Sequence, residues 1–218
     1  MIKRIIFWGA TGQAKVLNEF IRKIGYNLVA IFDNNPEVKS PFPDVPIYYG
    51  IADFKAWQKR QGNLKTACLV AIGGAKGQER LKMQNFLEKN RIDPVIAIHP
   101  TAFVASDAQL SKGCQILAHA TVCVQAKIGK ACIINTNAVV DHESVLGNGV
   151  HIAPGAILAG GVSIGDYSLI GVGAVVLPRI NIGRNVIIGA GAVVTRNIPD
   201  QKVVFGVPAR IQHDNIHV

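Results

Sequence analysis

From Val104 to Val194 every sixth residue is Val, Leu or Ile. The series runs Val104, Leu110, Ile116, Val122, Ile128, Ile134, Val140, Leu146, Ile152, Leu158, Ile164, Ile170, Val176, Ile182, Ile188 and Val194, with no insertion. Four residues after each stands a small or β-branched one, from Ala108 and Cys114 to Ala192 and Ile198. Apolar residues make up 49% of the chain, so sixteen in phase is not a chance pattern. A six-residue period specifies a hexapeptide β-helix. Each hexapeptide supplies one short strand and one turn, and three close a triangular coil of 18 residues. The large aliphatic residue and the small one point inward, so stacked coils bury a continuous ladder. Five coils at a strand spacing of about 4.8 Å make a prism roughly 25 Å tall. Aromatics at only 6% fit a core of Val, Ile, Leu and Ala. The spacing leaves the hand of the coil open.

The 18-residue coil also appears in the glycines. Gly129, Gly147, Gly165 and Gly183 form one column, and Gly155, Gly173 and Gly191 another. Such columns supply turn conformations. They also leave a smooth groove where a ligand can lie along the prism.

The first half has a different rhythm. Lys3–Trp8 is expected as a strand, Gly9–Gly12 as a turn and Gln13–Ile24 as a helix with Val16, Leu17, Phe20, Ile21 and Ile24 on one face. Further strands are expected at Leu28–Phe32, Ala67–Ile72 and Pro94–Ile98, and helices at Ala52–Gln61 and Gly77–Asn90. Asp33-Asn34-Asn35-Pro36 is a strong turn signal. Strand–helix alternation argues for a small parallel α/β sheet. The rhythm changes near His99-Pro100, so the expected units are residues 1–98 and 99–218.

The formal charge of +9 attracts polyanions. The chain lacks the Lys/Arg runs and arginine-rich tail of a nucleic-acid binder, so a phosphate-bearing small ligand is expected instead. Cys68, Cys114, Cys123 and Cys132 contain no C-x-x-C pair, which argues against a thiolate zinc site. The apolar stretch at the N-terminus is too short and too Gly-interrupted for a signal peptide. No run of 18 apolar residues appears, so no membrane span is expected. A reducing cytosol is the default location.

Gly9-Ala10-Thr11-Gly12-Gln13-Ala14 follows a strand and opens a helix. That arrangement offers backbone N–H groups and a helix N-terminus to phosphate. Thr11 takes the second glycine's place in G-x-G-x-x-G, which disfavours a hydride enzyme using NAD. Asp33 and Asn34 follow the second strand, the usual ribose or base side of such a fold. His142 lies two residues after the inward Val140, on an outward turn.

The stretch Asn135-Thr136-Asn137-Ala138-Val139-Val140-Asp141-His142-Glu143-Ser144-Val145-Leu146-Gly147, then His151-Ile152-Ala153-Pro154-Gly155 and the closing Phe205-Gly206-Val207-Pro208-Ala209-Arg210, resembles the hexapeptide-repeat sugar acyltransferases. These N-acetylate nucleotide-linked 4-amino-6-deoxy sugars of the bacillosamine, viosamine and perosamine type, and are related to sialic acid O-acetyltransferases. The resemblance covers nearly the whole chain. It implies an N-terminal Rossmann-like α/β domain plus an all-β left-handed parallel β-helix, assembled as a homotrimer. It implies acetyl-CoA as co-substrate, no metal, and a nucleotide-linked amino sugar as partner.

On that resemblance His142 is the general base, suited by an ordinary imidazole pKa of about 6.5. Glu143 is the acid that strengthens it, with Asp141 a second candidate. His151 corresponds to a contact near the reactive end of acetyl-CoA. Val172 and Ala190 correspond to two later contacts and stand one above the other on the prism. Thr11, Gly12, Gln13, Asp33, Asn34 and Gly73 correspond to the nucleotide-sugar site. Relatives often carry histidine where Gln13 stands and a second acid where Asn34 stands. His119 stacks with Asn137 and has no assigned role.

Other readings stay open at this stage. An O-acetyltransferase would use the same base against a hydroxyl. A zinc lyase of the carbonic anhydrase type would need three imidazoles converging on the metal. His119, His142 and His151 are available for it but lack that family's spacing. A noncatalytic trimeric scaffold would leave Asp141-His142-Glu143 unexplained. UDP is the first choice for the nucleotide, with dTDP and GDP open.

Overall fold

The computed structural model describes residues 2–62 and 64–216. Its N-terminal part is a five-stranded parallel sheet built from β1 (Lys3–Trp8), β2 (Tyr26–Asp33), β3 (Ile47–Tyr49), β4 (Thr66–Val70) and β5 (Asp93–Pro94), in the order β3-β2-β1-β4-β5. Helices α1 (Gly12–Ile21), α2 (Gly50–Gln61) and α3 (Gly77–Lys89) connect them. Period-two alternation divides β1 between the two faces of the sheet. Ile5 and Phe7 pack with Leu17, Phe20 and Ile21 of α1, whereas Ile6 and Trp8 pack with Phe54 and Trp57 of α2 and Leu87 of α3.

Two expectations change here. Val16 is exposed, and the buried stripe of α1 is Ala14, Leu17, Phe20 and Ile21. The strand expected at 94–98 is two strands. Asp93–Pro94 joins β4, while Ala97–Ile98 pairs with Gln115–Ile116 in the first coil of the second unit. The short strand β3 had no sequence signal, because Pro46 and Gly50 crowd its three residues.

The second part is the left-handed parallel β-helix, coiling about a ladder of inward side chains. Strands recur in register every 18 residues: Val140 lies beside Leu158, which lies beside Val176, which lies beside Val194. Cys114 and Cys132 occupy inward small positions in that core, which accounts for two of the cysteines. The last coil is tighter. Ile198 bridges Ile182 and Val204 pairs with Ile188, each sixteen residues on. An antiparallel hairpin of Lys202–Gly206 and Ala209–Asp214 then closes the end.

The three faces of the prism differ. One carries Ala97, Gln115, Ile133 and His151, all buried beneath the N-terminal domain. Leu117 and Ile133 share a core cluster with β1 and α1, so the domain sits directly on this face. The second presents Phe103, Thr121, Val139, Ile157, Val175 and Val193 outward, with Phe103 59% exposed and Ile157 44%. The third presents mainly polar residues, including Gln109, Lys127, Ser163 and Asn181.

Candidate active site

The sequence-expected site residues fall into two groups and a separate exposed pair, Val172 and Ala190. The first lines a cavity of about 910 Å³ at the C-terminal ends of β1, β2 and β4. Thr11, Gly12, Gln13, Asp33, Asn34 and Gly73 all line it. This is the crevice where strand order reverses in a doubly wound sheet. Gly9 holds the β1 end of the turn at φ +109, and a Cβ there would fall 2.4 Å from the Ala71 carbonyl oxygen. Only glycine permits that approach.

Polar contacts make the cavity wall firm. The Asp33 carboxylate accepts from the Ala10 N–H at 2.9 Å and from the Asn35 N–H at 3.0 Å. Gln13 Nε2 donates to Gln115 Oε1 at 2.7 Å, and Gln115 Nε2 donates to the Val70 carbonyl at 2.8 Å. Gln13 therefore ties the first turn of α1 to the β-helix.

His151 belongs to this same wall. Its Nδ1 donates to the Gly74 carbonyl at 3.2 Å, and its Nε2 accepts from Asn135 Nδ2 at 3.0 Å. A carbonyl can only accept, which fixes the tautomer. Burial, with the Arg80 charge second, pulls the imidazole down to about 4, so it is neutral near pH 7. Both ring nitrogens are committed. The structure does not bring His151 together with Val172 and Ala190. Those two are exposed on the next corner of the prism.

That corner also carries Gly155, Gly173 and Gly191, at φ +67, +64 and +65. Nothing lies within 4 Å of a Cβ built on any of them, so the column faces open space. The other glycine column is needed for packing. A Cβ on Gly129 would fall 2.5 Å from the Gly147 backbone. The groove reading therefore applies to the Gly155 column alone.

The second group is His142 with Glu143, on the corner between the apolar face and the polar face. His142 Nδ1 lies 3.0 Å from Glu143 Oε2, and the His142 N–H donates to Asp141 Oδ1 at 2.7 Å. A carboxylate accepts, so Nδ1 is the donor in this contact, and in the neutral ring Nε2 is the acceptor. His142 is half exposed. Its ring lies over Gly160, one coil above, where a Cβ would fall 2.2 Å from Nε2. Glu143 adopts φ +59, an uncommon conformation for a residue with a side chain. Three histidines do not converge: His142 is on this corner, His151 on the covered face and His119 on the corner that follows it. Among the described residues no three His, Cys, Asp or Glu side chains gather as metal ligands.

Three groups escaped sequence reasoning. Gly160 follows His142 by one coil, so the 18-residue register could have identified it. Lys76 and Glu79 line the cavity from the start of α3, where no motif marks them. Arg80 is fully buried between the units. It donates to the carbonyls of Ala131 at 2.7 Å, Ile72 at 2.8 Å and Gly149 at 2.7 Å. Burial lowers it to about 10, so it remains a cation.

The comparisons with known proteins agree with this layout. Residues 4–98 match the family described as the PglD N-terminal domain, and residues 161–196 match bacterial transferase hexapeptide (six repeats). The fold is similar to that of a histidine-to-asparagine mutant of perosamine N-acetyltransferase from Caulobacter crescentus, in complex with CoA and GDP-perosamine. Identity is 36%, the TM-score is 0.88, and the match covers 98% of this chain and 99% of that one. It is also similar to the acetyltransferase domain of PglB from Neisseria gonorrhoeae in complex with acetyl coenzyme A. There identity is 28% and the TM-score 0.85, over 97% of this chain and 100% of that one. WeeI from Acinetobacter baumannii shares the fold at 24% identity and a TM-score of 0.78, over 96% and 100% of the two chains. No curated protein matches the chain closely. With both units matched and 36% identity over nearly its whole length, the chain belongs to the hexapeptide-repeat sugar acetyltransferases, acetyl-CoA-dependent enzymes of the perosamine N-acetyltransferase kind.

Proposed function

We propose that the protein transfers the acetyl group of acetyl-CoA to the 4-amino group of a nucleotide-linked 4-amino-4,6-dideoxy sugar, with His142 as general base. The observation that carries this reading is the His142 imidazole on an open corner, with Nδ1 held by Glu143 and Nε2 free over Gly160. The amine nitrogen attacks the thioester carbonyl carbon as its proton passes to His142 Nε2. The C–S bond then breaks, and CoA leaves as the thiol after taking up a proton. Glu143 stabilises the imidazolium formed on the way. No acyl-enzyme is needed.

Residues 1–98 hold the nucleotide sugar in this account, and residues 99–218 supply the base and the groove for acetyl-CoA. Thr11, Gly12 and Gln13 at the start of α1 would receive the diphosphate. Asp33 and Asn34 would face the nucleoside, and Gly73 would admit the sugar close to the backbone. Acetyl-CoA would lie along the open corner past Val172 and Ala190, with His151 holding the Gly73-Gly74 loop beside it. GDP is the first nucleotide to test, because the 36%-identical relative binds GDP-perosamine. That relative was also solved with a single histidine changed to asparagine or to alanine, which fits a reaction centred on one imidazole.

A homotrimer completes the site. His142 stands on a corner away from the face that carries the cavity, and a neighbouring copy would bring the two together. The apolar face with Phe103, Val139, Ile157, Val175 and Val193 is the surface such a copy would cover. No helix is long and apolar enough to cross a membrane. We place the reaction in the cytosol, where acetyl-CoA is available.

The test is product identification. The protein is incubated with acetyl-CoA and GDP-, UDP- or dTDP-linked 4-amino sugars, and the acetylated product is examined by NMR. An amide at C4 is expected. An ester on a sugar hydroxyl would transfer the account to O-acetylation.

A further inference from the structure

Two side-chain amides fix the polarity of one wall of the N-terminal cavity. Gln115 lies on the covered face of the β-helix and is fully buried. It meets the Val70 carbonyl at the end of β4 and the Gln13 amide in the first turn of α1. A carbonyl oxygen only accepts, so Gln115 turns its nitrogen to Val70 and its oxygen to Gln13. That oxygen needs a donor, so Gln13 presents Nε2 to it, at 2.7 Å. Reversing both amides would set Gln115 Oε1 against the Val70 carbonyl and leave buried acceptors unpaired.

The last group in this chain is Gln13 Oε1. It points toward Gly73, where a built Cβ would lie 3.7 Å from it. Gln13 and Gly73 both line the cavity, and among the described residues no group donates to this oxygen. Its neighbours on the wall are engaged. Asp33 accepts from the Ala10 and Asn35 N–H groups, and the His151 ring nitrogens are committed to Gly74 and Asn135. Of these three side chains, Gln13 offers the free acceptor beside Gly73.

An amide oxygen takes a donor and turns away an ionised phosphate oxygen, which only accepts. The diphosphate is left to the backbone N–H groups of Gly12 and Gln13, which have no partner within α1. With the nucleoside at Asp33 and Asn34, the donors that reach the Gly73 end belong to the sugar. The reacting amine has to reach His142, which leaves a ring hydroxyl.

Resting on the nucleotide-sugar reading above, we infer that Gln13 Oε1 accepts a hydrogen bond from a ring hydroxyl of the sugar, and that Gln115 is the positioning residue that aims it. The contact selects sugars hydroxylated at that ring position and adds nothing to the grip on the diphosphate.

The experiment compares wild type with Gln13→Met, Gln115→Met and the double variant. It reads KM and kcat for the nucleotide sugar that wild type acetylates, and the calorimetric Kd of the matching nucleoside diphosphate, which lacks the sugar. Circular dichroism and gel filtration check fold and assembly. Gln13 is only partly buried, so Gln13→Met decides the contact even if Gln115→Met does not fold. KM should rise about fivefold in Gln13→Met, about threefold in Gln115→Met and no further in the double, with kcat little changed. The Kd of the nucleoside diphosphate should stay within about twofold of wild type. Analogues lacking one ring hydroxyl at a time complete the set. One of them should reproduce the Gln13→Met loss on wild type and lose nothing further on the variant. Unchanged KM in Gln13→Met, or no such analogue, overturns the hydroxyl contact. Equal losses for the nucleotide sugar and the nucleoside diphosphate also overturn it. A double variant that shows the product of the two single losses overturns the positioning role of Gln115. A wild type that acetylates no nucleotide sugar overturns the reading beneath this inference and the inference with it.

Discussion

The imidazole of His142 occupies the space where a side chain on Gly160 would begin. A Cβ on Gly160 would fall 2.2 Å from Nε2 and 2.4 Å from Cε1. Gly160 does not need a positive φ, so its backbone accepts alanine. The strain of Gly160→Ala therefore falls on the free end of a half-exposed side chain, which swings aside at small cost. The expected outcome is a loss in kcat on the order of a hundredfold, within the usual range for a misplaced base. The melting temperature should move by only a few degrees. Steady-state kinetics and thermal melts on the same samples check it. Wild-type kcat in the variant would show that the floor under His142 is irrelevant.

Arg80 is one of the polar ties between the two units. It is the hydrogen-bond donor to the Ala131, Ile72 and Gly149 carbonyls, and it is fully buried. Arg80→Ala strands those acceptors and opens a cavity, a loss expected at about 3–5 kcal/mol. Arg80→Lys keeps the charge but not the fork, and should recover only part of it. Urea unfolding measures both. A loss below about 1 kcal/mol would contradict the contact's role.

His151 makes stability depend on acid. Its folded pKa of about 4 lies below the ordinary 6.5, so between those values the unfolded chain binds the proton and the folded chain does not. Its share of stability is whole above about pH 6.5. It falls as the pH drops toward 4, by up to about 3 kcal/mol. His151→Asn should flatten that part of the profile in unfolding experiments at pH 7.5 and 4.5. Equal acid losses in both proteins would remove His151 as the cause.

If the site forms between subunits, two dead variants should rescue one another. His142→Ala lacks the base, and Thr11→Trp blocks the cavity. Co-assembled at equal amounts, random trimers regain about a quarter of the wild-type sites. A site made within one chain would regain none.

Much of this was legible in the sequence. Sixteen aliphatic residues in phase announced the coil, because a stacked ladder repeats its demand at every turn. The Gly9–Ala14 turn and the outward corner of His142 followed from local rules. The contacts between the units were not legible. Arg80 sits on a mostly polar helix, and only the approach of the Ala131 and Gly149 carbonyls makes it a core residue. Register slips were invisible too: Ile198 kept the repeat's spacing in sequence, yet it lies beside Ile182, two residues early, because the final coil tightens. His151 resembled an acyl-donor contact by position, and its neighbours Gly74 and Asn135 become apparent only in three dimensions.

The measurement that tests the central claim most directly is the rate of thiol release from acetyl-CoA with a GDP-linked 4-amino-4,6-dideoxy sugar, for wild type and His142→Ala. The account predicts rapid release by the wild type and a fall in kcat of about a hundred- to ten-thousandfold in the variant, with KM for either substrate little changed. Equal turnover by the two proteins would contradict His142 as the base.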